Sequence, residues 1–136
     1  MRSVNLIPRH HVQLPAWEKR LASRFPKVWL EYSEGLAERE GLPRGVANKL
    51  GIEDGFPHVL ILERPTTIHE YEPEEIEDLR KIAGEPKQFF AVDYTDERLL
   101  RRVLWELLQH EGEGRVVVED EQGNLALLEV FLETAK

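Results

Sequence analysis

Residues 89–119 decide the fold: FFAV (89–92), DYTDERLLRRVLWELLQHEGEG (93–114) and RVVVE (115–119). The first and last pieces are short runs rich in β-branched and aromatic side chains, the composition of buried strands. Between them the period changes. Leu99, Leu100, Val103, Leu104, Leu107 and Leu108 recur at helical spacing and fill one broad face. Thr95 or Asp96 is placed to cap that helix, which the pattern predicts over 96–110, and Gly112 and Gly114 lead out of it. The stretch is therefore β-α-β.

The flanks extend this unit in both directions. Downstream, Gln122-Gly123-Asn124 reads as a turn that returns the chain through Leu125–Leu132 as a hairpin partner. Upstream, Pro73-Glu74-Glu75 opens a helix with negative charge at its positive end. Ile76, Leu79 and Ile82 form its apolar face, and Gly84 closes it. His58-Val59-Leu60-Ile61-Leu62, bounded by Pro57 and Pro65, reads as a further strand. Three helices are expected before it. The first starts near Pro15, with Leu14, Trp17, Leu21 and Phe25 on one side. The second, over 27–40, competes with a short strand at Val28-Trp29-Leu30, and the third runs from Pro43 to Leu50. Residues 1–14 look extended, an arm ahead of the body.

The expected class is α+β in a single domain over 1–136. A helical N-terminal part precedes a β-α-β-α-β-β unit, which forms a mixed, roughly four-stranded sheet covered by helices. Alternation of strand and helix favours parallel neighbours in that sheet.

Charge is unevenly placed in a chain whose net is −8. Residues 1–69 carry ten Lys and Arg against eight Asp and Glu, a net of +2; residues 70–136 carry eight against eighteen, a net of −10. The first thirty residues alone hold six basic side chains against Glu18, so attraction to the acidic body would dock them. An acidic surface repels the phosphate backbone, which argues against nucleic acid as a partner. Val46 to Ile52 has the pattern of the first half of a helix-turn-helix, but Glu53-Asp54-Gly55-Phe56-Pro57 follows where a recognition helix should stand. No apolar run is long enough to cross a bilayer, and Met1–Leu14 has no signal-type core, so the expected compartment is the cytoplasm.

Several chemistries lack their residues. There is no Cys, which excludes disulfides, thiolate metal sites and cysteine nucleophiles. Ser3, Ser23 and Ser33 lie in no nucleophile-elbow pattern. Gly112-Glu113-Gly114 places a carboxylate where a phosphate would sit and reads as a connector. The five His (His10, His11, His58, His69 and His110) show no metal-ligand spacing. No catalytic residue, metal ligand set or cofactor is assigned.

Two groups remain as candidate contact residues. Asp93 follows one strand and Glu119-Asp120-Glu121 follows another. If those strands run in parallel, the acids share the carboxyl edge of the sheet, where ligands of α/β proteins gather. The bland reading makes Asp93 a cap and Glu119–Glu121 a solvated turn. The second group is on the long helix. At 100° per residue Trp105 falls opposite the apolar face, beside Arg98, Arg101 and Arg102. Trp with Arg on an outer face is the composition of an interface hot spot; alternatively, another part of the chain covers Trp105.

Phe90-Ala91-Val92-Asp93-Tyr94-Thr95-Asp96, the helix Leu99–Leu108 and Val118-Glu119-Asp120-Glu121-Gln122-Gly123 together resemble small acidic immunity proteins of bacterial toxin–antitoxin competition systems. The resemblance covers Phe89 to Leu132, about a third of the chain, and implies a non-catalytic binder that neutralises a basic toxin. Three functions follow. One is a non-enzymatic module that binds a basic protein or itself. Another is a small carboxylate- or metal-dependent enzyme using Asp93, Glu119 and Asp120 with His58 or His69. The third is a structural subunit of a homo-oligomer joined through Trp105.

Overall fold

The computed structural model describes residues 2–25, 28–32, 59–64, 71–86 and 88–134. In chain order these form β1 (Arg2–Pro8), α1 (Leu14–Ala22), β2 (Val28–Tyr32), β3 (Val59–Arg64), α2 (Pro73–Ala83), β4 (Phe89–Tyr94), α3 (Glu97–Glu111), β5 (Val116–Glu119), β6 (Leu125–Leu127) and α4 (Leu128–Thr134). The fold is mixed α and β. Its strands lie in one open sheet of order β2-β3-β4-β1-β5-β6. Four of the five neighbouring pairs are antiparallel, and β2 with β3 is parallel.

The main correction concerns the N-terminal segment. The stretch expected as an extended arm ahead of the helical part is a strand, and that strand is interior. β1 pairs antiparallel with β4 (Val4 opposite Val92, Leu6 opposite Phe90) and with β5 (Leu6 opposite Val118, Pro8 opposite Val116). Val4, Leu6 and Ile7 are buried, so apolar contact and two backbone ladders hold the segment where charge attraction was expected. Among the described residues the sheet has six strands in place of the four expected, because β1 and β2 join it. Residues Val28–Tyr32, expected in a helix over 27–40, form β2 instead, with Val28 opposite Val59. The run Val28-Trp29-Leu30 suits a strand beside β3, and the parallel ladder supplies its hydrogen bonds. Residues 33–58 and 65–70 lie outside the described residues. With them lie the expected helix at 43–50, the helix-turn-helix pattern, His58 and His69.

The expected parallel neighbours are not found in the β-α-β-α-β portion. β3 and β4 are antiparallel although α2 joins them, and β4 and β5 run in the same direction with β1 between them. The hairpin strand after Gly123 is also shorter than expected. It stops at Leu127, and 128–134 is helix. Leu128, Phe131 and Leu132 have helical spacing, which lets α4 turn them onto the core beside α3.

Strand alternation divides the apolar residues between two cores. Val4, Leu6, Phe90, Val92, Tyr94, Val116 and Val118 face the larger one, which α1, α3 and α4 cover with Leu14, Trp17, Leu21, Leu100, Val103, Leu104, Leu107 and Leu128. Ile7, Phe89 and Val117 face the smaller one, which α2 covers with Leu79 and Ala83. With both faces covered, β4 and β5 read as continuous apolar runs.

Local chemistry matches these elements. Pro15 and Pro73 occupy the first turns of α1 and α2, where a missing N–H costs nothing. Glu72 and Glu75 close a capping box on α2. Asp96 caps α3 by accepting from the Leu99 amide at 3.0 Å. Between β5 and β6 the Asp120 carboxylate accepts from the Gln122 and Asn124 amides, each at 2.9 Å, and Gly123 supplies the φ of 84° that the turn requires.

Because β1 is held by apolar packing between two ladders, amide protection over residues 2–8 is expected to persist in about 1 M salt, where screening falls to a few ångströms. Leu6→Ala is expected to cost about 2–5 kcal/mol in a denaturant melt. Salt-dependent exchange in β1, or a Leu6→Ala cost below about 1 kcal/mol, would contradict this placement.

Candidate functional site

Two concave surfaces flank α3. The first lies at the carboxyl ends of β4 and β5, where both strands leave the sheet on one edge with the start of β1 between them. It is a cavity of about 300 Å³. Arg2 and Val4 of β1, Tyr94 of β4, Glu97 and Arg101 of α3, Asp120, Glu121 and Gln122 of the turn, and Phe131 of α4 line it. The Arg2 guanidinium stands 4.8 Å over the Tyr94 ring, and that of Arg101 lies 5.7 Å from the Phe131 ring. Arg101 Nη1 donates to the Leu132 carbonyl at 3.3 Å, while Arg101 Nη2 is buried with no hydrogen-bond partner.

The Tyr94 hydroxyl donates to the Glu121 carboxylate. Burial pushes the phenol up from 10.0 to about 12, helped by the hydrogen bond to Glu121 and by that side chain's negative charge, while Arg2 pulls the other way. Asp120 shapes the rim through its three turn bonds, two from amides and one from Asn124 Nδ2 at 3.3 Å.

The second surface is a groove of about 270 Å³ formed by Arg24, Phe25, Arg102, Trp105 and Glu106. Trp105 is 52% exposed, the more exposed of only two large hydrophobic side chains that stand out among the described residues. Arg102 lies 5.5 Å over the Phe25 ring. Glu106 is buried, and its carboxylate takes Arg20 at 3.2 Å and Arg24 at 3.4 Å. Arg98, one turn before Arg102, is exposed. The groove thus has an apolar floor, an exposed indole and two arginines, of which Arg24 pairs with Glu106.

The residues singled out in the sequence therefore separate. Arg98, Arg102 and Trp105 share the outer stripe of α3. Arg101 leaves that group, because α4 lies on its flank and turns it into the first cavity. Asp120 and Glu121 line the same cavity. Asp93 and Glu119 do not, because they alternate onto the sheet face that carries Phe89 and Val117. There Glu119 Oε1 accepts from Asn5 Nδ2 at 2.8 Å and from the Tyr71 hydroxyl at 2.9 Å. Asp93, Glu119 and Asp120 consequently do not converge, and no group of three or more carboxylates and histidines among the described residues is arranged to hold a metal ion.

Sequence reasoning missed Arg2, Tyr94 and Phe131 in the cavity, and Arg24, Phe25 and Glu106 in the groove. The spacing of Arg20 and Arg24, four apart on an otherwise amphipathic stretch, was a readable signal for Glu106. Nothing local marks Arg2. A third polar cluster joins α1 to the end of α3. Trp17 Nε1 donates to Glu111 Oε2 at 2.9 Å, and His10 Nε2 lies 2.7 Å from Glu111 Oε1. No helix among the described residues is long and apolar enough to cross a membrane.

The folded protein holds the Tyr94 proton to higher pH than the unfolded chain does. The stability this contributes is full below about pH 10 and is lost as pH climbs through about 12. An ultraviolet phenolate titration is expected to show a late component that disappears in Tyr94→Phe, and the variant's stability is expected to fall less over that window. A titration in which all phenols ionise together near 10 would contradict the burial of this hydroxyl.

Comparison of the chain with protein-family models, with curated proteins and with solved structures gives no match.

Proposed function

We propose that the protein is a non-enzymatic protein-binding module whose contact face is the outer stripe of α3. Trp105, 52% exposed on the most regular helix of the fold, carries this reading. A large indole left in water forfeits roughly 1.5–3 kcal/mol of burial that a partner would recover. The groove beside it supplies an apolar floor in Phe25, and Arg98 and Arg102 supply planar donors at the rim. Trp and Arg around a desolvated centre are what alanine scans find at binding hot spots. Since the stripe is locally basic within an acidic chain, it favours a partner whose contact surface is apolar with an acidic rim.

The narrower reading, an immunity-type neutraliser of a basic toxin, places the contact at the acidic edge around Glu119, Asp120 and Glu121 instead. It is supported by the common exit of β4 and β5 there, with Glu121 exposed at the tip of the turn. The two readings differ in the partner's charge. The enzyme reading is not favoured, since Asp93 and Glu119 lie on the opposite face of the sheet from the cavity that holds Asp120.

Trp105→Ala is expected to leave folding stability within about 0.5 kcal/mol of wild type, as surface changes do. The same change is expected to weaken association by about 2 kcal/mol or more, with sedimentation measuring self-association and titration calorimetry measuring a purified partner. Glu121→Gln is expected to leave that association unchanged. A stability loss of about 3 kcal/mol or more in Trp105→Ala, or an association lost with Glu121→Gln and kept with Trp105→Ala, would move the contact away from α3.

A further inference from the structure

We propose that the groove beside Trp105 takes a short extended segment of acidic polypeptide that carries one large apolar side chain. The proposal rests on the reading of the outer stripe of α3 as the contact face and names what that face holds. The charge around the groove, its apolar content and its size set the chemistry of the occupant.

In a chain of net charge −8 the groove is a basic enclave. Arg24 and Arg102 line it, Arg98 stands one helical turn before Arg102, and Arg20 adjoins it through Glu106. Glu106 is the acidic residue among those lining the groove, and four arginines outnumber it. It is buried, with one oxygen on Arg20 at 3.2 Å and the other on Arg24 at 3.4 Å. Arg24 is still 63% exposed despite that pairing, and Arg98 and Arg102 are exposed as well. These guanidinium groups are open to carboxylates from a partner, whose geometry matches their planar forks.

Apolar surface is scarce. Trp105 and Val130 are the only large hydrophobic side chains exposed among the described residues, and Val130 belongs to α4 and does not line the groove. Phe25, the other apolar lining residue, is buried. A stable contact between two folded surfaces buries about 800 Å² on each side around an apolar centre. One indole beside a nearly covered ring does not provide that centre. A docked amphipathic helix would need several anchors along its length. The groove holds about 270 Å³, below the roughly 300–1,000 Å³ of ligand pockets, and suits a single side chain.

The occupant that satisfies all three has one Leu or aromatic anchor against Trp105 and Phe25. Asp or Glu before and after it reaches Arg24 on one side and Arg98 and Arg102 on the other. A second copy of the chain would bring −8 onto −8 and meet the same shortage of apolar area. Single-stranded nucleic acid could stack a base on Trp105, but its unbroken run of phosphates would continue past the arginines over an acidic chain.

Selection from a display library of random linear peptides on the full chain, with Trp105→Ala as the counter-target, tests this. The recovered sequences are expected to share one Leu, Met, Phe, Tyr or Trp flanked by Asp or Glu. A synthetic peptide of that sequence, followed by fluorescence anisotropy, is expected to bind Trp105→Ala at least about tenfold more weakly than wild type. Replacing its acidic residues by Asn and Gln, or raising the salt to about 0.5 M, is expected to weaken binding by a similar factor, because exposed charge pairs are screened. Arg98→Glu, at an exposed position independent of Trp105, is expected to weaken the acidic peptide at least about threefold and to leave the neutralised one unaffected. The proposal fails if no Trp105-dependent sequence is recovered, if the anchors are flanked by Lys, Arg or uncharged residues, or if an oligothymidylate binds more tightly than the peptide. A Trp105-dependent association of the chain with itself or with a purified folded partner, with no such peptide recovered, would overturn this occupant and keep α3 as the contact face.

Discussion

The double ladder of β1 is the constraint on which the rest of the structure depends. Seven residues at the start of the chain pair with β4 on one side and β5 on the other. Because both pairings are antiparallel, β4 and β5 must run in the same direction. Their carboxyl ends therefore leave the sheet on one edge, separated by a single strand, which is about 10 Å at ordinary strand spacing. The chain then diverges, into α3 after β4 and into the β5–β6 turn after β5. The space between those exits is the cavity floored by Val4 and Tyr94. Without β1 the two strands would have no common neighbour and the cavity no floor.

The two faces of that sheet are covered unequally, and this fixes what α3 can do. Among the described residues, α2 and Tyr71 cover the face with Ile7, Phe89 and Val117, whereas α1, α3 and α4 share the other. Their packing buries four apolar residues of α3 and also Glu106. A buried carboxylate is costly unless paired, and Arg20 and Arg24 of the α1 segment pair it. Glu111, one and a half turns later, takes Trp17 and His10. These contacts add little net stability. They do fix the rotation of α1 on α3, because a slip of either helix would strand a carboxylate.

What was legible in the sequence was what is local. α1, α2, α3, β3, β4 and β5 follow from spacing, caps and apolar runs, and the structure places each near its expected bounds. What was not legible depends on partners distant in sequence. β1 joins residues about ninety positions apart with β4, and no property of Arg2–Pro8 taken alone distinguishes an interior strand from an arm. Val28–Tyr32 had strand composition but helical periodicity as well, and only the ladder with β3 decides between them. The same distinction holds at the sites. The wheel placed Trp105 outward correctly because the core face of α3 is continuous. It grouped Arg101 with Trp105 because no local signal announces that α4 lies on that flank. Asp93 and Asp120 shared an edge on paper, but alternation along β4 and the reversal after β5 send them to different faces.

Adjacent residues on α3 show how the helix serves two surfaces at once. Arg101 and Arg102 point about 100° apart, as consecutive helical residues must. Arg101 reaches over Phe131 of α4 at 5.7 Å, and Arg102 reaches over Phe25, just beyond α1, at 5.5 Å. The helix is thus braced by a guanidinium on a ring to either side, in addition to its buried face and the two carboxylates that hold α1. A rotation that relaxed one brace would lengthen the other. Trp105, one turn beyond Arg101, is consequently presented from a backbone with little freedom to lose, although its own side chain is in water. Association costs translational and rotational freedom and, in addition, the ordering of side chains at the interface, and it is the second cost that the surface itself sets. For a half-exposed indole on a braced helix that cost is confined to two side-chain torsions and those of the flanking Arg98. The bracing that opens the cavity on one flank of α3 is therefore also what makes its outer stripe a rigid contact surface.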